Sequence, residues 1–459
     1  MEFLGRSREL GILRSALDAR ESSVIEVVGP PGVGKSTLVR RATQGFRVLH
    51  HRAPPLPDPV QRAAFLDSLY RGFPEEVGVP QDGNGAASWE TALDALARAL
   101  PRDGRSSVLV IDDAHRLGEA RARIEAPLAR TLSHVAGLHV VLVSPSPCVD
   151  AAGPLERNLA RRLEVGPLSF RAVVELLPGS DARDLLAAYA VFGGNPGNLR
   201  HLNPSAGLLT NARRVILDGG APLADAGLAL LERSVQTPSR YAAILQALSL
   251  GEGDWARIHS GVPDLSASGQ VAPYLRRLDD LGIIEVRRSL DARPSTRARR
   301  YRIRDPFHAF WFRCVFPRLY AASHGTDTEA GLNAAVRTHA ASVFPMVCRQ
   351  FMASDALERL GHNARECGSL WGGDVEIEVA GILTSGATFY GHTLWDLDGS
   401  ASALGRLDAQ VRTTRYGFGR ETRLRLIFTS GQPPTTLERE VVRRYDAKVI
   451  TGGDLAGGH

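Results

Sequence analysis

Apolar residues along this chain come in two rhythms: short unbroken runs, and stretches where leucine and alanine return every three or four positions. Runs at 24–28, 47–50, 108–113 and 139–143 predict strands, and the third is continuous enough to be a parallel strand buried on both faces. The second rhythm predicts helices through Leu10, Leu13 and Leu17, and over 37–41, 60–69 and 89–100. Pro54, Pro55, Pro57 and Pro59 impose a loop, because each lacks a donor and restrains its neighbour. Arg157, Arg161 and Arg162 fall in a stretch read as helical. Farther on, 241–248, 255–258 and 270–281 predict three helices, the last stopped by Gly282, and 283–286 with 300–303 predict a hairpin. Three helices and a hairpin make a winged helix. The alternation of strands and helices at the start predicts an α/β fold around a parallel sheet.

Candidate chemistry sits at the first junction of the two rhythms. Gly29-Pro30-Pro31-Gly32-Val33-Gly34-Lys35-Ser36-Thr37 fits G-x-x-x-x-G-K-[ST], with a strand before it and a helix after it. Glycines let the backbone curl so that its N–H groups face phosphates, Lys35 reaches the β- and γ-phosphates, and the Ser36 hydroxyl ligates Mg²⁺. The following helix adds the partial positive charge of its N-terminus. These residues point to ATP and Mg²⁺ as cofactors. The run at 108–113 ends in two carboxylates, and ligands bind beyond the carboxyl ends of strands in α/β sheets. Asp112 is placed to hold Mg²⁺ through water, and Asp113 to orient or deprotonate the attacking water.

Three smaller features stay open between two readings. The helix through Leu10 serves either as packing or as a segment over the adenine and ribose. Ser144 either senses the γ-phosphate or caps a turn. Arg157, Arg161 and Arg162 are either surface arginines or a source of charge for a neighbouring subunit's γ-phosphate in a homo-oligomer.

Composition changes the picture in two places. Lys35 and Lys448 are the only lysines, so every other basic side chain is Arg and a point-charge ammonium is reserved for the loop. The formal charge is +5, and the arginines cluster: the hairpin tip at 287–299 carries five against one acid. Such a tip suits a phosphate backbone through Arg297, Arg299 and the adjoining Arg300, while Arg276 and Arg277 on the third helix suit the major groove of duplex DNA. Winged helices also dock proteins. The four cysteines lack ligand spacing, which predicts reduced thiols and no zinc. The start of the chain has no apolar h-region and no run is long enough to span a bilayer, so a cytoplasmic protein is expected.

Phe3-Leu4-Gly5-Arg6 with Glu9-Leu10, the glycine-rich loop, residues 165–170, 189–196 and 301–313 together resemble the archaeal-type ATPases, a branch of the STAND and AAA+-like NTPases. The resemblance implies an ATPase core at 1–170, a helical lid at 171–208, a winged helix at 209–305 and a PD-(D/E)XK nuclease-like domain at 306–459. It also implies that Pro196, in Gly194-Asn195-Pro196, lies against the nucleotide base. Residues 367–380 resemble the family's tryptophan-glycine turn and acidic strand, but the next strand, Phe389-Tyr390-Gly391-His392-Thr393-Leu394-Trp395, departs from the pattern. His392 stands where the family has an acid and Leu394 where it has Lys. Carboxylates that hold Mg²⁺ and a Lys that aids water are what such cleavage needs, so a retained fold with lost cleavage is expected.

The sequence therefore predicts a P-loop ATPase that binds duplex DNA and couples its nucleotide state to conformation or assembly. A nucleotide-switched scaffold for a protein partner is the second reading. An ATP-gated nuclease is the third.

Overall fold

A computed structural model describes residues 5–77, 88–100, 106–150, 152–232, 235–262, 271–293, 298–319, 328–396, 400–417, 419, 423–433 and 435–457. It divides into two compact units, Met1–Gly166 and Pro167–His459.

In the first unit, helix α1 (Ser7–Leu17) leads into β1 (Ser23–Val28), α2 (Lys35–Ala42), β2 (Arg47–Arg52), α3 (Asp58–Gly72), α4 (Trp89–Ala99), β3 (Ser107–Asp112), α5 (Glu119–His134), β4 (Leu138–Ser144) and β5 (Leu159–Glu164). The five strands form one parallel sheet in the order β2-β3-β4-β1-β5. Side chains alternate across it, as the two-residue period of a strand requires. Ile25, Val27, Val108 and Val110 face α1 and α2 through Leu13, Leu17 and Leu38. Val24, Leu109 and Ile111 face α3, α4 and α5 through Phe65, Trp89 and Leu128. Both faces are covered, so the carboxyl ends of β1, β3 and β4 are where the sheet opens to a ligand.

Contrary to the helix expected there, Arg161 and Arg162 lie on β5, which pairs with β1 at the edge of the sheet. Arg162 Nε donates to Glu26 Oε2 at 2.6 Å, and Cys148 and Val149 give their N–H groups to the other carboxylate oxygen. Glu26 is fully buried on β1. Burial by itself raises its pKa, and the Arg162 guanidinium and the two backbone donors outweigh that and bring it below the ordinary value. Arg162 therefore neutralises an internal carboxylate. Arg157 lies in a single 3₁₀ turn before β5, on the surface.

The second unit begins with α6 (Phe170–Val173), α7 (Ala182–Phe192), α8 (Pro196–Leu199), α9 (Leu208–Ala212) and α10 (Ala226–Glu232). Then come α11 (Pro238–Ser249), α12 (Trp255–Ser260) and α13 (Val271–Asp280), followed by the antiparallel pair β6 (Ile284–Arg287) and β7 (Arg300–Ile303). Gly253, between α11 and α12, bridges to Tyr301 and adds a third short backbone pairing beside the hairpin.

Helices α14 (Pro306–Phe310), α15 (Glu329–Ser354) and α16 (Leu357–Leu360) lead to a mixed sheet. Its elements are β8 (Ala364–Gly372), β9 (Val375–Leu383), β10 (Thr388–Leu394), α17 (Ser400–Thr413), β11 (Arg423–Thr429), α18 (Thr435–Tyr445) and β12 (Ala447–Ile450), and α19 (Gly452–Ala456) closes the chain. The order is β12-β11-β10-β9-β8, antiparallel from β8 to β10 and parallel from β10 to β12.

One hydrophobic cluster runs through this unit, with Tyr189 and Phe192 of α7 buried with Phe307, Phe310 and Phe344. His339 of α15 sits among them, its Nε2 hydrogen bonded to the carbonyls of Ala190 at 2.9 Å and Pro306 at 3.1 Å. Among the described residues no helix is long and apolar enough to cross a membrane.

Candidate active site

The turn between β1 and α2 is built by close approach. Gly29 has φ 151°, and a Cβ there would stand 2.0 Å from the Val165 carbonyl oxygen, so only glycine lets the chain leave β1 past β5. Gly32 and Gly34 have φ of 80° and 93°, left-handed conformations that curl the loop before α2 starts at Lys35. Val33 is buried and anchors the loop; Ser36 is half-buried and Thr37 exposed at the start of α2. The Lys35 ammonium folds back into the loop, donating to the carbonyls of Gly29 at 2.6 Å and Pro30 at 2.9 Å. Burial lowers its pKa, and the charges of Asp112 and Asp113 pull the other way. The two carboxylates predicted from the strand pattern are thus brought to Lys35 across β4, which lies between β1 and β3.

The carboxylates are held differently. Asp112 ends β3, and its Oδ1 accepts the N–H of Asp113 at 3.0 Å. Asp113 lies past the strand in a left-handed conformation, φ 56° and ψ 36°, which Asp tolerates better than most residues. Its Oδ2 takes Arg52 Nε at 2.9 Å and lies 3.3 Å from Arg116 Nη1. Ser144 donates its hydroxyl to the Ser146 carbonyl, which is the turn-capping arrangement, while its own carbonyl accepts the N–H of Gly29 at 3.3 Å.

Residues 2–143 match the AAA ATPase domain family. A protein of Methanocaldococcus jannaschii that carries the description uncharacterized is 20% identical over 400 residues, covering 83% of this chain and 84% of its own. Among solved structures, the Aeropyrum pernix ORC1 protein in complex with DNA is 17% identical, covers 69% of this chain and 95% of its own, and superposes with a TM-score of 0.34. Pyrobaculum aerophilum Cdc6p is 15% identical, covers 72% and 94%, and has a TM-score of 0.32.

The AAA ATPase match runs from ahead of α1 to Val143, one residue short of the end of β4, so it contains the loop, Asp112, Asp113 and three side chains to which the sequence pattern assigns no role. Arg6 is buried, pairs with Glu9 at 3.0 Å, and donates to the carbonyls of Val33 at 3.0 Å and Gly166 at 2.5 Å. With Leu13 and Leu17 buried in the core, α1 packs on the sheet while Arg6 braces the loop. Arg6→Ala is expected to lower the unfolding free energy of this unit by about 2 kcal/mol in urea titrations, because charge-assisted bonds to two carbonyls are lost. Unchanged stability would take the brace away from Arg6. His50 and His115 flank the carboxylates, and burial pushes the pKa of each below the ordinary value against the pull of those acids.

The remaining candidates belong to the second unit. Gly194 approaches so closely that a Cβ would stand 1.9 Å from the Leu168 carbonyl oxygen, and Asn195 Oδ1 caps α8 through the N–H of Gly197, with Pro196 as its first residue. Arg276 and Arg277 are exposed on α13, and Arg288, Arg293 and Arg299 are exposed around the hairpin. Arg297 lies outside the described residues. Arg300, expected on a phosphate backbone, instead forks onto Glu376 with bonds of 2.5 and 2.7 Å and lies over Trp371. The tip is also fastened to β8, through Leu290 N–H to the Ser369 carbonyl and Trp371 N–H to Ser289 Oγ, both at 3.0 Å.

On the mixed sheet, Glu378 Oε2 accepts the N–H and hydroxyl of Thr393 at 2.8 and 2.6 Å and lies 3.3 Å from His392 Nδ1. Glu378 and His392 therefore meet, as adjacent strands allow. Lys448 is exposed on β12, separated from β10 by the whole of β11 and so by roughly 10 Å of sheet.

Proposed function

We propose that the protein binds Mg²⁺-ATP at the turn after β1, hydrolyses it, and uses the nucleotide state to change its conformation or assembly on duplex DNA. The observation that carries the reading is the seat of Lys35, an ammonium held by loop carbonyls at the carboxyl edge of a parallel sheet with two carboxylates acting on it. The residues present fit a nucleotide. Curled glycines and a helix start offer N–H groups to phosphates, and Lys35 exchanges its two carbonyls for phosphate oxygens. They also fit a divalent cation, because Asp112 and Asp113 would otherwise face a polyanion across the loop. Ser36 and Asp112 would hold Mg²⁺, which when bound neutralises phosphate charge. Asp113, fixed between Arg52 and Arg116, orients the water.

Helices α11, α12 and α13 with β6, β7 and the Gly253 pairing are read as a winged helix. Its DNA contacts are assigned to Arg276, Arg277 and Arg299, with Arg288 and Arg293 beside them. The mixed sheet is read as a PD-(D/E)XK nuclease-like domain without cleavage, since Glu378 is spent on Thr393 and His392 and no lysine accompanies it. A scaffold for a protein partner is the second reading, favoured by the fastening of the tip to β8 and β9 through Ser289, Leu290 and Arg300.

ATP turnover measured with and without duplex DNA at about 50 mM and about 200 mM salt separates the two. Stimulation that fades with salt is expected. In the Arg276→Gln/Arg299→Gln protein, the log–log salt slope of DNA binding should flatten by up to about two contacts of roughly 0.9 each. Indifference of turnover to DNA would favour the scaffold.

A further inference from the structure

The second unit contains a cleft of about 360 Å³ that neither the nucleotide nor the DNA reading uses. Arg287, Arg302, Arg304 and Arg349 converge on it from β6, β7, the residue after β7, and α15, and Glu285 is the acid of its lining. Leu168, Pro306 and Met346 supply an apolar wall. Arg302 is paired with Glu285, its Nε 2.7 Å away. Arg287 is paired with Glu252 and donates to Ser369 Oγ at 2.5 Å. Arg349 has a side chain only 12% exposed, bonds the Glu378 carbonyl at 2.7 Å, and stands 3.9 Å from the Glu252 carboxylate already engaged by Arg287. Arg304 has no side-chain partner among the described residues. Three guanidiniums thus share two carboxylates, and Arg304 joins them at the lining of a partly apolar cleft without a carboxylate of its own among the described residues.

Arg287 and Arg349 are largely out of water, where like charges at short range are poorly screened and repel, while Arg304 is exposed. Burial, with the charges of Arg287 and Arg302 added, pushes the Arg349 pKa down to about 9. Cys367 cannot supply the missing negative charge, since burial pushes its thiol up to about 11. Guanidiniums are planar forks that match phosphate oxygens two at a time, and four around one cleft exceed what the protein's own acids require.

We propose that this cleft is a second anion site, taking a small phosphorylated organic molecule whose phosphate oxygens engage Arg304 and Arg349 and whose apolar portion lies on Leu168, Pro306 and Met346. The volume falls within the range of small-ligand sites. The cleft joins the hairpin to α15 and β8, so an occupant would tie these three elements together.

Inorganic pyrophosphate is the probe, titrated calorimetrically into full-length Lys35→Ala protein so that the loop after β1 is disabled. Saturable binding below roughly 1 mM is expected, weakened about tenfold by Arg304→Gln, whose side chain is exposed and whose loss should leave the fold intact. Arg349→Lys should weaken it similarly, since it keeps charge and loses the fork, and Arg71→Gln on α3 should leave it unchanged. Absence of binding, or equal affinity in the Lys35→Ala and Lys35→Ala/Arg304→Gln proteins, would overturn the proposal. So would displacement of pyrophosphate by duplex DNA with a matching loss of DNA affinity in Arg304→Gln, which would make the cleft part of a nucleic-acid contact.

Discussion

Lys35→Ala is expected to leave a folded protein that turns ATP over about 10²–10³-fold more slowly. Lys35 is the first residue of α2, where alanine is a good helix former, and the bonds it makes are to two carbonyls that solvent can satisfy. Stability should therefore change little. Catalysis should change greatly, because the ammonium is the one point charge in a loop otherwise built of backbone donors, and the acids on β3 cannot stand in for it. Phosphate release measured beside circular dichroism checks both halves. Lys35→Arg should fare nearly as badly, since a planar fork cannot occupy the position of a compact ammonium. Full turnover in a folded Lys35→Ala protein would place hydrolysis elsewhere.

Acid should unfold the second unit through His339. Its Nε2 hydrogen donates to two carbonyls, so the ring is the neutral tautomer with the proton on Nε2, and Nδ1 is buried without a partner among the described residues. Burial lowers the pKa to about 4, with the Arg313 charge adding to the shift. A base whose folded pKa lies below its unfolded value contributes no penalty above the unfolded value near 6.5, and destabilises progressively as pH falls from there toward 4. The loss approaches about 3 kcal/mol near pH 4, from the roughly 1.4 kcal/mol that each pKa unit represents. His339→Gln keeps a donor for the carbonyls and cannot take up the proton. Urea unfolding at several pH values should show a steeper acid loss for the wild type than for His339→Gln. Parallel pH profiles would acquit His339.

The loop after β1 was legible because its chemistry is contiguous: nine neighbouring residues carry the phosphate-binding glycines, the ammonium and the hydroxyl. The run at 108–113 was legible because burial on both faces leaves an unbroken apolar string. Arg6 was not, since its partners are main-chain carbonyls 27 and 160 residues away and a carbonyl leaves no mark on sequence. The strand at β5 was misread for a reason of period: Leu159 and Leu163 stand four apart, a spacing that places two residues on one face of a helix and equally on one face of a strand. Arg162 then looked like surface charge, and its partner Glu26 could be recognised only once β1 and β5 were side by side. The reach of Arg300 to Glu376 was hidden in the same way, because the pair is 76 residues apart.

Two lysines in the whole chain have an experimental consequence. Apart from the α-amino group, an acylating reagent finds one amine exposed on β12, at Lys448, and one tied to two carbonyls inside a loop, at Lys35. Lys448 reacts at the pace of the reagent, and Lys35 at the pace at which the loop lets its ammonium go. The ratio of the two adducts in one mass spectrum is thus a clock with its own reference, reading the opening of the loop in a protein that carries no engineered label.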